Sequence, residues 1–369
     1  MCSQEKAKLT ANKRPMTEPL GIGVIGTGYI AAARHLPAFK ALEGEGKVRL
    51  VAVCDVGAER LQRAAEKFDV PRTFTDYREM LALSEIDAVS VCTPNFQHKQ
   101  PVLDAFAAGK HVLCEKPLAL NAAEGAEMVA AGRAAGRQLQ VGYNMRFGPG
   151  AQSVKRFMDD GKLGEIYYVR AQALRRRGIP SHGHFTDKAK QGGGPLIDIG
   201  AHVLDLSLWL MDFPKPISVS GQTQARFGPR EGVIGLRGQW DPKKFTVEDF
   251  GVGFVRFENG ATLTLESSFA ANIAQDQFQT TLMGAEGGAF VDMLNDANTR
   301  LFREESGTLT DTSPVFLPQV HTHDAEIRSF VQSLQDDTPV LVPGEQGLMV
   351  TRLLDALYLS AEIGREVLL

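Results

Sequence analysis

The chain has 369 residues, with 40 Lys and Arg against 44 Asp and Glu, so its formal net charge at pH 7 is −4. This length suggests two domains and allows a large hydrophobic core, while the slight acidity gives no electrostatic reason to expect nucleic acid as a partner. No apolar run approaches the roughly 18 residues of a transmembrane helix, and Cys2, Cys54, Cys92 and Cys114 form no CxxC pair and are too few for a disulfide framework.

The N-terminal residues are polar and contain no apolar segment, so they resemble neither a secretory signal nor a twin-Arg leader. We expect residues 1–18 to form a disordered tail of a cytoplasmic protein. Met16 stands just before the first predicted strand and is a candidate for the native start. Cysteines that end strand-like runs are typical of small buried thiols in a reducing compartment.

The first part of the chain alternates short apolar runs with helical patterns. The runs are rich in Val, Ile, Leu and Cys and do not alternate with polar residues, which is typical of parallel strands buried on both faces. Strands and helices in turn predict right-handed βαβ units and a doubly wound sheet. The predicted strands are Ile22–Ile25, Val48–Cys54, Ala88–Cys92, His111–Cys114 and Leu139–Tyr143, and the predicted helices include Ala58–Phe68, Gln97–Ala108 and Ala122–Ala135.

A glycine-rich turn follows the first predicted strand. Its sequence, Gly26-Thr27-Gly28-Tyr29-Ile30-Ala31, is a GxGxxA pattern that joins an apolar strand to a helical stretch. In this context Gly26 permits a tight turn, Gly28 lets the backbone approach a pyrophosphate, and the small last residue allows close helix–strand packing. Free N–H groups at the start of the helix attract phosphate. The turn therefore predicts a dinucleotide site that includes Tyr29 and Ile30.

An acidic residue marks the end of the second predicted strand. Asp55 lies 24 residues after Ala31, close to the spacing of about 20 at which a carboxylate binds the ribose 2′-hydroxyl of NAD. The same carboxylate repels the 2′-phosphate of NADP, so the sequence favours NAD, and NADP is the less favoured cofactor; Arg60 nearby softens this preference, because an arginine can accommodate the 2′-phosphate. The alternative is that Asp55 caps the helix that begins at Ala58.

Polar residues follow three further strands of the predicted parallel sheet. Thr93-Pro94-Asn95 and His98 come after the run that ends at Cys92, Glu115-Lys116-Pro117 comes after the run that ends at Cys114, and Asn144 follows the last run. The carboxyl ends of parallel strands line the ligand crevice of a doubly wound sheet. We therefore expect these residues on the nicotinamide side of the cofactor, with an ordinary helix position as the alternative for His98.

The sequence after about residue 143 has a different hydrophobic pattern. Polar and apolar residues alternate, with many Thr, Phe and Val, which predicts an antiparallel sheet with one covered face. Asn259-Gly260 between two such runs is a strong hairpin signal. The predicted strands are Ile166–Ala173, Ile217–Phe227, Gly251–Phe257, Ala261–Phe269 and Gln279–Met283, and helices are predicted at Thr322–Gln335 and Gly344–Ile363.

One helical segment of this second part carries polar residues on an otherwise apolar background. It follows Gly192-Gly193-Gly194 and begins at Pro195, which suits the first turn of a helix. Asp198 and His202 are four residues apart and share a face, and Asp205 lies near the same stripe. Polar groups on a buried helix need partners or a cleft, so this face is a candidate site.

Together these motifs resemble the glucose–fructose oxidoreductase / inositol dehydrogenase / MocA-like (Gfo/Idh/MocA) family. The resemblance covers about residues 20 to 365 and rests on the glycine-rich turn, Thr93-Pro94-Asn95 with His98, Glu115-Lys116-Pro117, and Asp198…His202 after three glycines. It implies an α/β protein: a Rossmann domain, residues 19–143, and an α+β domain, residues 144–369, with a large, mostly antiparallel open sheet that often mediates oligomerisation. It also implies that Lys116, Asp198 and His202 are catalytic. The Lys116–Pro117 bond is a candidate cis peptide.

These three residues suit the oxidation of a secondary alcohol, in which hydride leaves for nicotinamide while the hydroxyl loses its proton. His202 is a suitable base, Asp198 can orient it or share the proton, and Lys116 can hold the hydroxyl oxygen. The alternatives are a solvated loop lysine, an acid at a helix start and a core histidine. Asp198, His202 and Asp205 could also bind a metal, but we expect none.

We expect the second domain to supply the substrate contacts. Besides Lys116, Asp198 and His202, the candidates are Arg146, Arg176, His182 and His184, because such side chains donate hydrogen bonds to hydroxyl-rich ligands and stack on ring faces. A solvated strand or an oligomer contact is the alternative for Arg175-Arg176-Arg177, and a surface loop is the alternative for the two histidines. His321 and His323 are further candidates, although Asp324 as a helix-start residue explains their segment equally well.

The leading hypothesis is an NAD-dependent dehydrogenase acting on a secondary hydroxyl of a sugar, cyclitol or glycoside, with the sugar 3-hydroxyl as the preferred position. One alternative is a glycoside hydrolase that uses NAD transiently for oxidation and elimination. A second alternative is an NAD(P)-binding regulator without catalysis, which the presence of all three implied catalytic residues disfavours. We expect a homo-oligomer, a dimer or tetramer, formed through the second sheet.

Overall fold

The computed structural model describes residues 18–369. All of the predicted N-terminal tail except Glu18, together with the candidate start Met16 and the thiol of Cys2, therefore lies outside the described residues. No helix between residues 18 and 369 is both long enough and apolar enough to cross a membrane.

The first part of the chain forms a parallel sheet, as predicted, but with six strands where the sequence predicted five. The strand order is β3-β2-β1-β4-β5-β6, so the order reverses between β1 and β4 and opens a crevice at their carboxyl ends. The strands are β1 (Leu20–Ile25), β2 (Val48–Cys54), β3 (Arg72–Phe74), β4 (Ala88–Val91), β5 (His111–Cys114) and β6 (Leu139–Val141), and the helices are α1 (Leu36–Gly44), α2 (Ala58–Phe68), α3 (Tyr77–Leu81), α4 (Lys99–Ala107) and α5 (Ala122–Ala135).

The second part forms a nine-stranded sheet in the order β14-β13-β12-β11-β7-β10-β9-β8-β15, mostly antiparallel, with β7 and β10 parallel. The predicted hairpin joins β9 to β10, and Gly260 has φ +85° there. The elements are α6 (Pro149–Asp159), β7 (Ile166–Leu174), α7 (Lys188–Gln191), α8 (Ala201–Leu210), β8 (Pro216–Gln224), β9 (Phe250–Phe257), β10 (Thr262–Ser268), β11 (Gln277–Gly284), β12 (Gly287–Asp292), β13 (Arg300–Glu305), β14 (Thr308–Thr312), α9 (Thr322–Asp336), α10 (Gly344–Ile363) and β15 (Val367–Leu368).

Among residues 18–369, the helices pack against one face of the nine-stranded sheet. The buried positions of β9 include Gly251 and Gly253, where a Cβ would lie 2.4 Å from Leu196 and from Leu357 of α10, respectively. The absence of side chains at these two positions lets the helices approach the sheet closely. Residues that alternate with them on the opposite face, such as Phe254, remain partly exposed.

One C-terminal helix packs against the parallel sheet. α9 places Phe330 and Val331 in the same buried cluster as Leu36 and Phe39 of α1. The chain then passes beside β6, where the N–H of Val141 donates to the carbonyl of Val342 at 3.0 Å. The boundary between residues 143 and 144 stays a prediction, and residues 322–342 contribute to the core around the first sheet.

Arg146 fixes the position of α8. Its guanidinium is fully buried and donates to both carboxylate oxygens of Asp205, at 2.8 and 2.5 Å. It also donates to the carbonyl of Leu341 at 3.1 Å and to Gln346 Oε1. The structure thus corrects the prediction that Arg146 binds substrate: its donors are used inside the core, where they partner the buried Asp205 carboxylate.

Replacing Arg146 is therefore expected to act on stability. Arg146→Met leaves the Asp205 carboxylate buried without its partner, which lowers the free energy of unfolding by about 3 to 5 kcal/mol. Denaturant unfolding followed by circular dichroism measures this loss. Arg170→Met is the matched control, because the Arg170–Glu266 pair is partly exposed and such pairs contribute at most about 1 kcal/mol. Equal losses in the two variants would contradict the structural role of Arg146.

Candidate active site

The glycine-rich turn forms a cradle at the carboxyl end of β1. Gly26 has φ +91°, and a Cβ there would lie 2.8 Å from the carbonyl of Cys92, so this position requires glycine. Gly28 is different, because a Cβ built on it meets no protein atom within 4 Å. Tyr29 beside it is 78% exposed, whereas Ile30 packs against the core. The backbone at Gly28 is therefore open to a ligand.

Asp55 lies next to this cradle, at the end of β2. Its carboxylate accepts hydrogen bonds from the N–H and Oγ1 of Thr27 at 2.8 and 3.0 Å, from the N–H of Gly57 at 2.7 Å, and from Arg60 Nη2 at 2.8 Å. Burial tends to raise the pKa of Asp55, but these hydrogen bonds hold it below its ordinary value. The side chain is thus an ionised carboxylate beside the phosphate cradle.

The loop after β4 is tied to the loop after β5 by His98. This side chain is fully buried, with Nδ1 2.8 Å from the carbonyl of Pro117 and Nε2 2.9 Å from the carbonyl of Thr93. Burial lowers its pKa. Asn95 in the same loop donates to the carbonyl of Gln191 at 3.0 Å, while Pro94 is exposed. Because protein oxygens face both ring nitrogens, the evident role of His98 is to hold these loops, and its cofactor contact stays a prediction.

Glu115 takes part in a buried ion pair that sequence reasoning missed. Its Oε1 lies 2.8 Å from His35 Nε2, and His35 Nδ1 lies 2.8 Å from Ser90 Oγ. Burial raises the pKa of Glu115, but the hydrogen bond from His35 and the charges of His35, His323 and Lys116 together lower it to about 2. Glu115 Oε2 also accepts from the N–H of Lys116 at 3.1 Å. The pair therefore connects the helical stretch after the cradle to the turn that carries Lys116.

Lys116 and Asp198 meet across the cleft between the two sheets. The Lys116–Pro117 peptide is cis, as the resemblance suggested. Lys116 Nζ donates to the backbone carbonyl of Asp198 at 2.9 Å and to its Oδ1 at 3.1 Å. Burial raises the pKa of Asp198, but Lys116 and Arg175 together lower it below its ordinary value. An ammonium and a carboxylate thus face each other in a largely buried site.

The three glycines before Asp198 allow tight packing at the start of its helix. A Cβ on Gly193 would lie 2.0 Å from the hydroxyl of Tyr358, and one on Gly194 would lie 2.1 Å from the carbonyl of Glu248. The Glu248 carboxylate accepts from the N–H groups of Gly194 at 3.0 Å and Leu196 at 3.2 Å, which suits the positive end of a helix. The chain continues through a π-helical turn, Leu196–Gly200, that carries Asp198 into α8.

His202 completes the cluster from the first turn of α8. Its ring contacts that of Tyr143 edge to face, with centroids 6.2 Å apart. Burial is the main reason that its pKa falls to about 3; Lys116 lowers the pKa further and Asp198 opposes the shift. Its Nδ1 has no hydrogen-bond partner among residues 18–369. The imidazole is therefore neutral at pH 7 and can accept a proton.

The remaining predicted substrate residues lie at different distances from this cluster. The ring of His184 contacts that of Phe96 edge to face, with centroids 6.1 Å apart. Because Phe96 follows β4 of the parallel sheet, the loop that carries His184 reaches the cleft between the two sheets. His182 is exposed and packs on Phe185. Arg176 is exposed and donates to the carbonyl of Ala274, away from Asp198. The substrate contacts of His182 and His184 stay predictions, and Arg175 lies closer to the cluster than Arg176 does.

A further histidine enters the site from α9. Asn144 is buried after β6 and donates to Thr322 Oγ1 at 2.6 Å, and its amide nitrogen lies 3.4 Å from His323 Nδ1. His323 is close enough to His202 to influence its pKa, and burial lowers the pKa of His323 itself to about 4. The sequence left two interpretations of this segment open, histidines that reach the site or a helix start at Asp324. It could not decide between them, because a helix-start pattern does not show which way the helix faces.

The predicted buried thiols agree with the structure. Cys54, Cys92 and Cys114 are free and buried. Within the described part of the chain, no three or more His, Cys, Asp or Glu side chains are grouped so that they could hold a metal ion. Asp205, one residue of the alternative metal site, is instead bound to Arg146.

Comparison with known proteins identifies the family. A family model described as an oxidoreductase family with an NAD-binding Rossmann fold matches residues 20–143, and a GFO/IDH/MocA C-terminal domain model matches residues 151–290. D-glucoside 3-dehydrogenase of Escherichia coli is 35% identical over 357 residues, which are 96% of this chain and 99% of that protein. The chain belongs to the Gfo/Idh/MocA family.

Other members agree in length and architecture. Myo-inositol 2-dehydrogenase of Thermotoga maritima is 27% identical over 348 residues, covering 94% of this chain and 97% of that protein. The crystal structure of an oxidoreductase domain protein from Kribbella flavida has a TM-score of 0.85 and 27% identity, over 95% of this chain and 99% of that one. As a Gfo/Idh/MocA oxidoreductase, the protein has an NAD-binding Rossmann unit followed by the family's C-terminal sheet domain.

The residues of the site fit NAD. The open backbone at Gly28 leaves room for a pyrophosphate at the start of a helical stretch, and the ionised Asp55 stands where a ribose acceptor is needed. Thr93, Glu115 and Asn144 follow β4, β5 and β6 at the same edge of the sheet. The nicotinamide end would therefore lie on the side of the Lys116–Asp198–His202 cluster.

Two glycine variants separate cofactor binding from folding. Gly28→Ala places its methyl group in open space, so the free energy of unfolding should change by less than about 0.5 kcal/mol, while NAD binding weakens at least about tenfold. Gly26→Ala is the contrasting variant, because its strained backbone and the contact with Cys92 should lower stability as well. Calorimetric NAD titration and thermal melting measure both effects. Unchanged NAD affinity in Gly28→Ala would contradict the cradle.

Proposed function

We propose that the protein is an NAD-dependent dehydrogenase acting on a secondary hydroxyl of a sugar, cyclitol or glycoside. The observation that carries this proposal is the cluster in which Lys116 Nζ lies 3.1 Å from Asp198 Oδ1, beside a neutral His202, at the carboxyl edge of an NAD-binding sheet. Family relatives named as glucoside and inositol dehydrogenases support the substrate class. The similarity to D-glucoside 3-dehydrogenase favours the sugar 3-hydroxyl.

Each residue of the cluster has a task that its surroundings support. The bound cofactor supplies the hydride acceptor. His202 is neutral and accepts the hydroxyl proton, and the adjacent Asp198 carboxylate stabilises the imidazolium that forms. The Lys116 ammonium donates to the hydroxyl oxygen and stabilises its developing negative charge. The His35–Glu115 pair and the hydrogen bond from the N–H of Lys116 to Glu115 fix the backbone from which Lys116 extends.

Substitutions in the cluster test this assignment. Lys116→Met and His202→Asn should each lower kcat/KM by about 10²-fold or more, because they remove alkoxide stabilisation and the base, while NAD affinity changes by less than about threefold. Formation of reduced nicotinamide is followed with glucosides, glucose and inositols as substrates, and tightly bound nucleotide is assayed separately. Lys188→Met, at an exposed lysine before the glycine triplet, is the control.

The same assay distinguishes the other two functions. Release of an aglycone without net reduced nicotinamide would indicate a hydrolase that uses NAD transiently. Tight NAD binding with no turnover of any sugar, and no effect of Lys116→Met on what the protein does, would indicate a regulator. Either result would contradict the dehydrogenase.

We propose that the protein self-associates through the open face of its nine-stranded sheet. Val252 and Phe254 of β9, Phe290 of β12 and Phe302 of β13 occupy partly exposed positions that alternate with the buried ones. Apolar residues spread over several strands of an open face are more typical of an interface than of a solvated surface. A second copy of the chain is the partner, as a dimer or a tetramer.

Mass measurement in solution tests the interface. Phe254→Glu places a charge on the open face and should shift the mass measured by light scattering toward the monomer at micromolar concentration. Phe316→Glu is the control, because Phe316 is 81% exposed and lies between β14 and α9, off the sheet. A wild-type protein that is monomeric, or an oligomer insensitive to Phe254→Glu, would contradict the proposal.

A further inference from the structure

Three consecutive arginines at the end of β7 take three different directions. Arg176 is exposed and donates to the carbonyl of Ala274. Arg177 donates to the carbonyl of Ala271 and packs over the ring of Phe227. Arg175 alone turns towards the catalytic cluster, where its Nη1 lies 3.7 Å from Asp198 Oδ2. One arginine of the triplet is therefore available to act on the site.

Arg175 is held firmly in this position. Its backbone N–H donates to the carbonyl of Ser268 at 2.9 Å, and its carbonyl accepts from the N–H of Ala271 at 3.0 Å. Nη1 donates to the carbonyl of Gly178 at 3.2 Å, and the guanidinium lies over the ring of Phe269, 5.6 Å from its centroid. The side chain is only 12% exposed, so its charge is poorly screened by water.

The Asp198 carboxylate thus lies between two cations. Lys116, which follows a strand of the parallel sheet, has its Nζ 3.1 Å from Oδ1. Arg175, which follows β7 of the nine-stranded sheet, has its Nη1 3.7 Å from Oδ2. We propose that Arg175 is a positioning residue that anchors Asp198 and keeps it ionised, so that Lys116, which donates twice to Asp198, keeps its third N–H for the reacting hydroxyl. This inference rests on the proposed function only for its effect on turnover, because the contact between Arg175 and Asp198 does not depend on it.

The consequence for pH dependence follows from the charges around the two residues. Lys116, Arg175 and His202 face Asp198, while Asp198, Arg237 and Asp276 influence Arg175. Removing the cation at position 175 raises the pKa of Asp198. The acid limb of kcat/KM should therefore move to higher pH. In addition, kcat should fall more than KM rises, because Lys116 must then balance the Asp198 carboxylate without Arg175 and binds the reacting hydroxyl less well.

Three single variants test the positioning role. Arg175→Met should lower kcat about tenfold or more with KM changed by less than about threefold, and should move the acid limb upward by at least about half a pH unit. Arg175→Lys keeps a cation and should restore the position of the limb, with only part of kcat. Arg170→Met, on β7 but paired with Glu266 instead of Asp198, should behave like the wild type in both respects.

A double-mutant cycle tests the same contact without any activity. Asp198→Asn is combined with Arg175→Met, and in parallel with Arg176→Met, and the melting temperature of each protein is measured. The Arg175 pair should be non-additive by about 2 °C or more, whereas the Arg176 pair should be additive. Additive melting temperatures together with an unmoved acid limb would overturn the inference. If no sugar is turned over by the wild type while the cycle is non-additive, the proposed function fails and the role of Arg175 stands.

Discussion

The contact between Lys116 and Asp198 is the interaction on which the site depends. One partner follows a strand of the parallel sheet and the other lies in a helix packed on the second sheet, so neither unit contains the site alone. Both charges are largely buried, and a buried ion pair is stable only where geometry and further hydrogen bonds support it. The structure supplies that support on each side: the His35–Glu115 pair behind Lys116, and Glu248 and Arg175 around the helix of Asp198.

Polar contacts hold the buried helix that carries Asp198 and His202 at several points along its length. Glu248 accepts from its first N–H groups, and Arg146 neutralises Asp205 farther along α8. Gly193 and Gly194 leave room for Tyr358 and Glu248, which occupy the space that side chains would fill, and Gly192 has φ +90°. Rigid placement of this kind is what a hydroxyl-oxidising site needs, since an error of about 1 Å in the position of a base or a donor lowers the rate severely.

Much of the fold could be predicted from sequence, because parallel strands buried on both faces and amphipathic strands of an open sheet have distinct patterns. Val48–Cys54, Ala58–Phe68 and Ala122–Ala135 match their elements end to end. The short β3 and the strands β12 to β15 were missed; β3 has three residues and β15 two, too few for a period to be recognised.

In the site, motifs predicted residues fixed by local geometry, such as Gly26 and Lys116. They could not predict long-range partners: Arg146 proved to be a core residue, and Arg175 rather than Arg176 turns inward.

The central claim is that a substrate carbon delivers hydride to nicotinamide over the Lys116–Asp198–His202 cluster. It is tested most directly with a substrate carrying deuterium on the carbon of its reacting hydroxyl, followed by mass spectrometry and NMR of the recovered nucleotide. The account predicts one deuterium at nicotinamide C4 for each substrate oxidised, on one face of the ring only. Label that appears in water, or that stays on the sugar while product forms, would contradict it.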